Sequence, residues 1–430
     1  MEIKDIYSKY LQCTQVCTDT RQLSKGCFFV CIKGDNFDGN TFAKDALEQG
    51  ASFVLIDNKD YQIDERTILV DNTIDTLQAL AKYHRSQLVI PVIGITGTNG
   101  KTTTKELLTA VLSRKYRVWS TKGNLNNHIG VPLTLLSIDK ATTQIAIVEM
   151  GANHRGEIAQ LCAIAQPNYG VITNIGKAHI EGFGSVEGII ETKSALYKAV
   201  QSVDGTVFVN ADDALLMKLS EEITRLTYGT SKQADVCGKC NEKTMYMTFK
   251  LPQFNRTIST QLTGSYNFNN AMAAVAAGLH FDVDMEDIVY ALISYLPTNN
   301  RSQVEMINGQ TIIVDAYNAN PSSMAVAIDN LDHLKAEHKV VILGMMKELG
   351  EDSLKEHAKI IERLKNSSIE QKFLLGDDFC QVSDDKSIVY DNFEDMAKAI
   401  KADLLPGSTI LLKGSRSMKM ERVLDLLKSE

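Results

Sequence analysis

Residues 92–104 read Val-Ile-Gly-Ile-Thr-Gly-Thr-Asn-Gly-Lys-Thr-Thr-Thr: an apolar strand-like run, a Gly/Thr/Asn turn, then a helix-like segment from Lys101 to about Arg114. A strand that turns through glycines into a helix builds a phosphate-binding loop. Backbone N–H groups crowd around the anion, the positive end of the helix faces it, a lysine adds charge and a hydroxyl can ligate Mg²⁺. On this reading Gly97, Thr98, Asn99, Gly100, Lys101, Thr102 and Thr103 hold the phosphates of ATP or GTP. The loop also constrains the fold, because it belongs at the carboxyl end of a strand in a parallel sheet. A strict G-x-x-x-x-G-K-[ST] pattern would need glycine where the chain has Ile95, so the loop is a variant and an ordinary P-loop NTPase loses ground.

Alternating strand-like and helix-like lengths surround this loop. A chain of 430 residues exceeds one ordinary core, so two or three domains are expected. Residues 1–90 form a small α/β unit with strand-like runs at Cys27–Ile32, Phe53–Ile56 and Ile68–Val70 and helices near Thr41–Gln49 and Thr73–Gln87. Residues 91–297 carry strands at Val92–Thr96, Ile145–Met150, Gly170–Ile175 and Thr206–Asn210, with an Ala-rich buried helix at Asn270–Leu279. Residues 298–430 alternate again, with strands at Thr311–Val314, Val340–Leu343, Phe373–Leu375, Ile388–Tyr390 and Thr409–Leu412 and helices at Ser322–Leu334 and Ser417–Leu427. The expected fold is α/β in three domains, with a central P-loop-type, mostly parallel sheet and a C-terminal Rossmann-like doubly wound sheet.

The net charge of −8 argues against a general nucleic-acid or anionic-membrane surface. No apolar stretch approaches membrane-spanning length, and the opening Met-Glu-Ile-Lys-Asp lacks a signal-peptide core, so a cytoplasmic protein is expected. Eight cysteines are diluted over a long chain, and the lone Cys237-Gly-Lys-Cys240 has neither a partner pair nor a nearby histidine; coincidence is preferred to zinc or redox chemistry.

Two further segments bear on chemistry. Ile145-Ala-Ile-Val-Glu149 is a buried strand ending in a carboxylate, the position of a group that holds Mg²⁺ near a phosphate loop. The polar, Gly-rich stretch from Thr173 to Gly184 places His179 after the next strand; alone, that histidine would more often be structural.

Taken with Gly123-Asn-Leu-Asn-Asn-His-Ile-Gly-Val-Pro132, Glu149-Met-Gly-Ala-Asn-His154, Ala178-His-Ile-Glu-Gly-Phe-Gly-Ser185, Asp315-Ala-Tyr-Asn-Ala-Asn-Pro321 and Leu412-Lys-Gly-Ser-Arg-Ser417, the chain resembles the Mur ligases. These are ATP-dependent amide ligases of peptidoglycan precursor synthesis. Thr18-Asp-Thr-Arg21, Lys33-Gly34 and Phe37-Asp-Gly39 extend the likeness to the N-terminal region. Within the family, the segments are most similar to the members that join D-alanyl-D-alanine to UDP-N-acetylmuramoyl-tripeptide.

The resemblance implies roles residue by residue. Lys101 and the loop amides would hold the β- and γ-phosphates; Thr102 and Glu149 would serve one Mg²⁺, and His179 would help bind a second. Lys193 aligns with a lysine that is carbamylated in the family, although read alone it is a solvated helix lysine. Asn267 and Asn270 would face the adenine, Arg301 the γ-phosphate and Asp315 the ribose; Lys101, Lys193, His179 and Arg301 would form the catalytic set. Thr20, Arg21, Gly34, Asn126, Asn127, Asn318, Asn320, Lys413, Ser415 and Arg416 would contact the substrates. The implied domain roles are UDP-substrate binding for 1–90, ATP binding for 91–297 and dipeptide binding for 298–430, in a monomer with small-molecule partners only.

Two departures stand out: Tyr266 replaces a histidine of most relatives, and Met345 replaces the acid of a Gly-Asp-Met motif. Competing readings are a Mur ligase that adds the third residue, a folylpolyglutamate synthase, and a non-catalytic nucleotide switch. No Asp-Asn-Pro-Arg motif is present for the first, the Asn-Leu-Asn-Asn-His-Ile-Gly-Val-Pro segment opposes the second, and no Asn/Thr-Lys-x-Asp motif supports the third.

Overall fold

The computed structural model describes residues 2–34, 36–176, 180–241 and 244–428. Its centre is a seven-stranded sheet, and every pairing in it is parallel. The strands Val92–Thr96 and Ile145–Glu149 are buried along their whole length, which is why they read as continuous apolar runs rather than alternating ones. From Val92–Thr96 the chain passes to the edge strand Val118–Ser120, returns to Ile145–Glu149, then crosses to the other side at Tyr169–Ile172. That reversal opens a crevice at the carboxyl end of Val92–Thr96, where α/β sheets take their ligands.

Helix Phe268–His280 covers this sheet, with alanines buried from Ala271 to Ala277. It packs so closely on helix Lys101–Leu112 that a Cβ at Gly278 would stand 2.6 Å from Val111. A three-stranded antiparallel sheet of Lys239–Asn241, Tyr246–Leu251 and Arg256–Thr263 flanks it. The sequence reading has no counterpart for these strands. Cys237 and Cys240, expected to be a coincidental pair, lie on strands of different sheets, and all eight cysteines are free thiols.

Residues 16–69 build a four-stranded parallel sheet. Beyond the linker, six strands order as Gln303–Ile307, Gln310–Asp315, Ser408–Lys413, His338–Gly344, Gln371–Leu375 and Val389–Tyr390. Five are parallel; Gln303–Ile307 is an antiparallel edge strand, so the doubly wound sheet is mixed. The expected helix over 417–427 is divided into a 3₁₀ turn at Arg416–Met418 and a helix from Arg422, separated by Lys419 in left-handed conformation. Among the described residues, no helix is long and apolar enough to cross a membrane.

Candidate active site

The phosphate loop folds as a cradle that only glycine permits at two points. Gly97 has φ +148°, and a Cβ there would meet Thr173 Oγ1 at 1.9 Å; Gly100 has φ +80°, with Asn270 Oδ1 at 2.5 Å from its would-be Cβ. Helix Lys101–Leu112 starts directly after Gly100, so its unpaired N–H groups face the loop. The neighbouring strand's extension fixes the loop from outside. The Thr98 and Asn99 amides donate to Asn174, and the Asn99 carbonyl accepts from Thr173 Oγ1 at 2.6 Å and Asn174 Nδ2 at 2.9 Å.

Among the described residues, Lys101 Nζ donates to loop carbonyls, Gly97 O at 2.8 Å and Thr98 O at 3.1 Å. Burial pushes its amine down to about 8, partly opposed by Glu149 and reinforced by Arg301. Lys193, expected from residue type to be solvated, is instead 4% exposed and donates to Gly97 O at 3.2 Å. Burial, then the charge of Lys101, lowers it to about 7. Two amines therefore converge on one loop carbonyl.

Glu149 closes the strand Ile145–Glu149 inside the cleft at 2% exposure. One carboxylate oxygen accepts from Thr102 Oγ1 at 3.2 Å and Asn126 Nδ2 at 2.9 Å; the other, Oε2, is buried with no partner. A buried carboxylate oxygen without a donor is costly, and a hard cation beside a hydroxyl would satisfy it, so these residues fit Mg²⁺. Among the described residues, no three His, Cys, Asp or Glu side chains converge on a metal position. His179 lies outside the described residues.

The cleft holds about 860 Å³ and is lined from both the central and the C-terminal sheet units. Gly97 through Thr103, Glu149, Lys193, Asn126, Asn127, Asn267 and Asn270 line one side; Arg301, Asp315, Asn318, Asn320, Lys413 and Arg416 line the other. Asn267 donates to Thr263 O at 2.7 Å and to Ser302 Oγ at 2.9 Å, so it does not cap the helix that follows it. Asn270 donates to Asn267 Oδ1 at 2.9 Å and accepts from Thr104 Oγ1 at 3.1 Å. Lys413, the buried end of its strand, donates to Asp315 Oδ2 at 2.5 Å and Asn318 O at 3.2 Å.

Other expected residues fall elsewhere. Ser415 is buried off the cleft, where its Oγ accepts from the Lys347 amide at 2.8 Å. Thr20, Arg21 and Gly34 lie on the N-terminal unit: Arg21 donates back to Asp19, which caps the 3₁₀ turn Thr20–Gln22, and Gly34 sits in a short hairpin against the Phe37 ring. None of the three lines the cleft. Met345 packs its side chain on Gly376 beside the C-terminal apolar cluster, so apolar packing takes the place of the acid.

Tyr317 and Ser302 line the cleft and were not singled out from sequence. The guanidinium of Arg301 lies 3.7 Å from the Tyr317 ring centroid and that of Arg416 4.6 Å. Two guanidiniums on one ring suit a cleft that receives anions. The Asp-Ala-Tyr-Asn segment was in view, but the aromatic partner of an arginine is set by tertiary placement, not spacing.

Residues 12–85 match the "Mur ligase family, catalytic domain", 95–278 the "Mur ligase middle domain" and 300–416 the "Mur ligase, glutamate ligase domain". The UDP-N-acetylmuramoyl-tripeptide–D-alanyl-D-alanine ligase of Bacillus subtilis (strain 168) is 37% identical over 428 residues, covering 96% of this chain and 93% of the relative. The same-named protein of Escherichia coli (strain K12) is 32% identical, with 96% and 93% covered. A crystal structure of MurF from Acinetobacter baumannii superposes with a TM-score of 0.87 at 28% identity, covering 100% and 98% of the two chains. MurF from Thermotoga maritima in complex with ADP gives 0.86 at 29%, with 98% of each covered. A variant phosphate loop, a lone buried carboxylate beside its threonine and full-length similarity to these proteins together establish that the chain belongs to the Mur ligase family.

Proposed function

We propose that the protein is an ATP-dependent ligase that joins D-alanyl-D-alanine to UDP-N-acetylmuramoyl-tripeptide by a peptide bond, in peptidoglycan precursor synthesis. The observation that carries this is full-length similarity to proteins of that name, at 37% and 32% identity, around a cleft built to hold polyphosphate.

The chemistry follows from charge. A carboxylate and a polyphosphate repel each other, so their reaction depends on cations placed in advance and on alignment. The tripeptide's terminal carboxylate attacks the γ-phosphorus, ADP leaves, and an acyl phosphate forms. The dipeptide amine then attacks the acyl carbon, losing a proton, and inorganic phosphate departs. Lys101, released from the Gly97 and Thr98 carbonyls, follows the β- and γ-phosphates, and Arg301 neutralises the γ-phosphate from the opposite wall. Thr102 and Glu149 would hold Mg²⁺, which when bound adds charge neutralisation at the phosphates. Asn267 and Asn270 seat the adenine and Asp315 the ribose.

Lys193 is read here as a carbamylated residue. Its support is a buried amine lowered to about 7, so that a substantial neutral fraction, nucleophilic toward CO₂, exists near neutral pH, with no carboxylate partner among the described residues. The carbamate would turn an isolated buried cation into an anion beside Lys101. The protein is further read as a cytoplasmic monomer, with residues 1–90 binding the UDP substrate, 91–297 ATP and 298–430 the dipeptide.

Purified protein with ATP, Mg²⁺ and UDP-N-acetylmuramoyl-tripeptide should release phosphate only when D-alanyl-D-alanine is added, and form the pentapeptide. Joining of lysine or diaminopimelate to the UDP-muramoyl-dipeptide, with D-alanyl-D-alanine inert, would overturn the assignment within the family.

A further inference from the structure

Arg301 occupies a linker whose backbone is held in an uncommon form. The residues on either side, Asn300 and Ser302, are both left-handed, with φ +55° and +53°. Asparagine tolerates that region; serine seldom enters it. Such residues persist only where the surroundings over-determine them, and here each is held by a different sheet unit. The Asn300 carbonyl accepts from the Tyr317 amide at 3.2 Å, and the Ser302 carbonyl accepts from the Thr263 amide at 3.2 Å.

The Ser302 side chain adds a third hold. At 3% exposure for the residue, its hydroxyl meets Asn267 Nδ2 at 2.9 Å and the Tyr266 hydroxyl at 3.0 Å. Both partners lie in the 3₁₀ turn Ser265–Asn267. Asn267 accepts from Asn270, which accepts from Thr104 on the helix that follows the phosphate loop. An unbroken hydrogen-bonded path therefore runs from that helix, through the asparagines read as the adenine seat, to the residue beside Arg301. It also gives Tyr266 a task that its hydroxyl can perform.

We infer that Ser302 is a positioning residue for Arg301: its hydroxyl ties the linker's left-handed turn to the adenine seat, so that seating the base and aiming the arginine at the terminal phosphate are one event. The inference rests on the roles read for Asn267 and Arg301 above. It predicts that removing the hydroxyl separates nucleotide affinity from turnover, because the adenine contacts stay while the arginine loses its aim.

The test uses the full-length enzyme in ligation assays, with ADP affinity measured by calorimetry. Ser302→Ala should lower kcat by about tenfold while leaving ADP affinity within about threefold. Ser302→Gly relaxes the left-handed backbone yet also lacks the hydroxyl, and should behave like Ser302→Ala. In an Arg301→Ala background, Ser302→Ala should add less than about twofold, since residues acting as one unit are not additive. Tyr266→Phe should show the same coupling to Arg301 at smaller amplitude, and it decides the matter if Ser302→Ala folds poorly. Wild-type turnover in Ser302→Ala, recovery in Ser302→Gly, or losses that multiply with Arg301→Ala would each overturn the inference. Full activity of Arg301→Ala would instead remove the reading beneath it, and the inference with it.

Discussion

Lys193 enters the fold at a thermodynamic cost that its chemistry explains. It points inward from helix Val186–Gln201, 5.6 Å from the Phe183 ring centroid, and burial lowers its amine to about 7. In the unfolded chain that amine titrates near 10.4. Between about pH 7 and pH 10 the unfolded state therefore binds a proton that the native state lacks, so stability rises with pH across that window. Below it both states hold the proton, and the penalty is present in full. Lys193→Met should consequently be more stable than the parent at about pH 6, by up to about 4–5 kcal/mol, with the gap closing by about pH 10. It should also lose ligation. Melts of metal-free, carbonate-free protein across that range check the sign, and a variant less stable than its parent at low pH would refute the buried-amine argument. Lys101 makes the complementary case: on the reading proposed above its charge would serve bound phosphate rather than the core, so Lys101→Ala should abolish ligation with an unchanged circular dichroism spectrum.

Helix Pro321–His333 shows how one residue can serve two elements. Asn320 caps it, accepting from the Ser323 amide at 2.9 Å, while its own Nδ2 donates to Asn99 Oδ1 at 2.8 Å in the phosphate loop. Asn99 returns a bond to Ser322 Oγ at 2.9 Å. Asn320→Asp keeps the cap and loses the donor, so helix stability should hold while turnover falls. Asn320→Ala should lose both, at about 1 kcal/mol for the cap. Denaturant melts beside ligation rates separate the two, and equal turnover in Asn320→Asp and the parent would show that the bridge is idle. This helix, and the strands Val92–Thr96, Phe53–Ile56 and Thr206–Asn210, are legible in sequence because continuous apolar runs and cap residues carry local signals. The antiparallel strands Tyr246–Leu251 and Arg256–Thr263 are not legible in sequence because they are half exposed and their threonines interrupt the apolar positions. The hairpin at Asn308-Gly309, both with positive φ, carries a local signal in its Asn-Gly pair. For the site, the loop and Glu149 were legible from order along the chain. The burial of Lys193, the Ser302 contacts and the Tyr317 stack were not, because they depend on side chains from distant segments meeting across the cleft.

The units of the molecule are joined unequally, and that decides what moves. The first two share one apolar core: Ile6, Tyr7, Leu77 and Leu80 belong to the same cluster as Leu135, Leu161 and Val207. Buried polar contacts reinforce the seam, with Tyr10 donating to Leu136 O at 2.6 Å and Arg85 to Ala165 O and Gln166 O at 2.9 and 3.0 Å. The C-terminal sheet instead has its own two clusters, built from Ile307 onward apart from a flanking Met245. Its described links to the phosphate loop are hydrogen bonds of the Asn99–Asn320 kind and the linker around Arg301. An interface of polar contacts opens more readily than a shared core, because water can replace each bond. Limited proteolysis of nucleotide-free protein should therefore cut first between Pro297 and Gln303, leaving residues 1 to about 297 as one fragment. Nucleotide at about ten times its dissociation constant should slow that cut about tenfold, as expected for a ligand that binds only the closed form. Asn99→Ala should speed the cut without nucleotide, by loosening closure alone. A first cleavage near residues 86–91, separating the N-terminal unit, would show that the shared core is not the stronger joint.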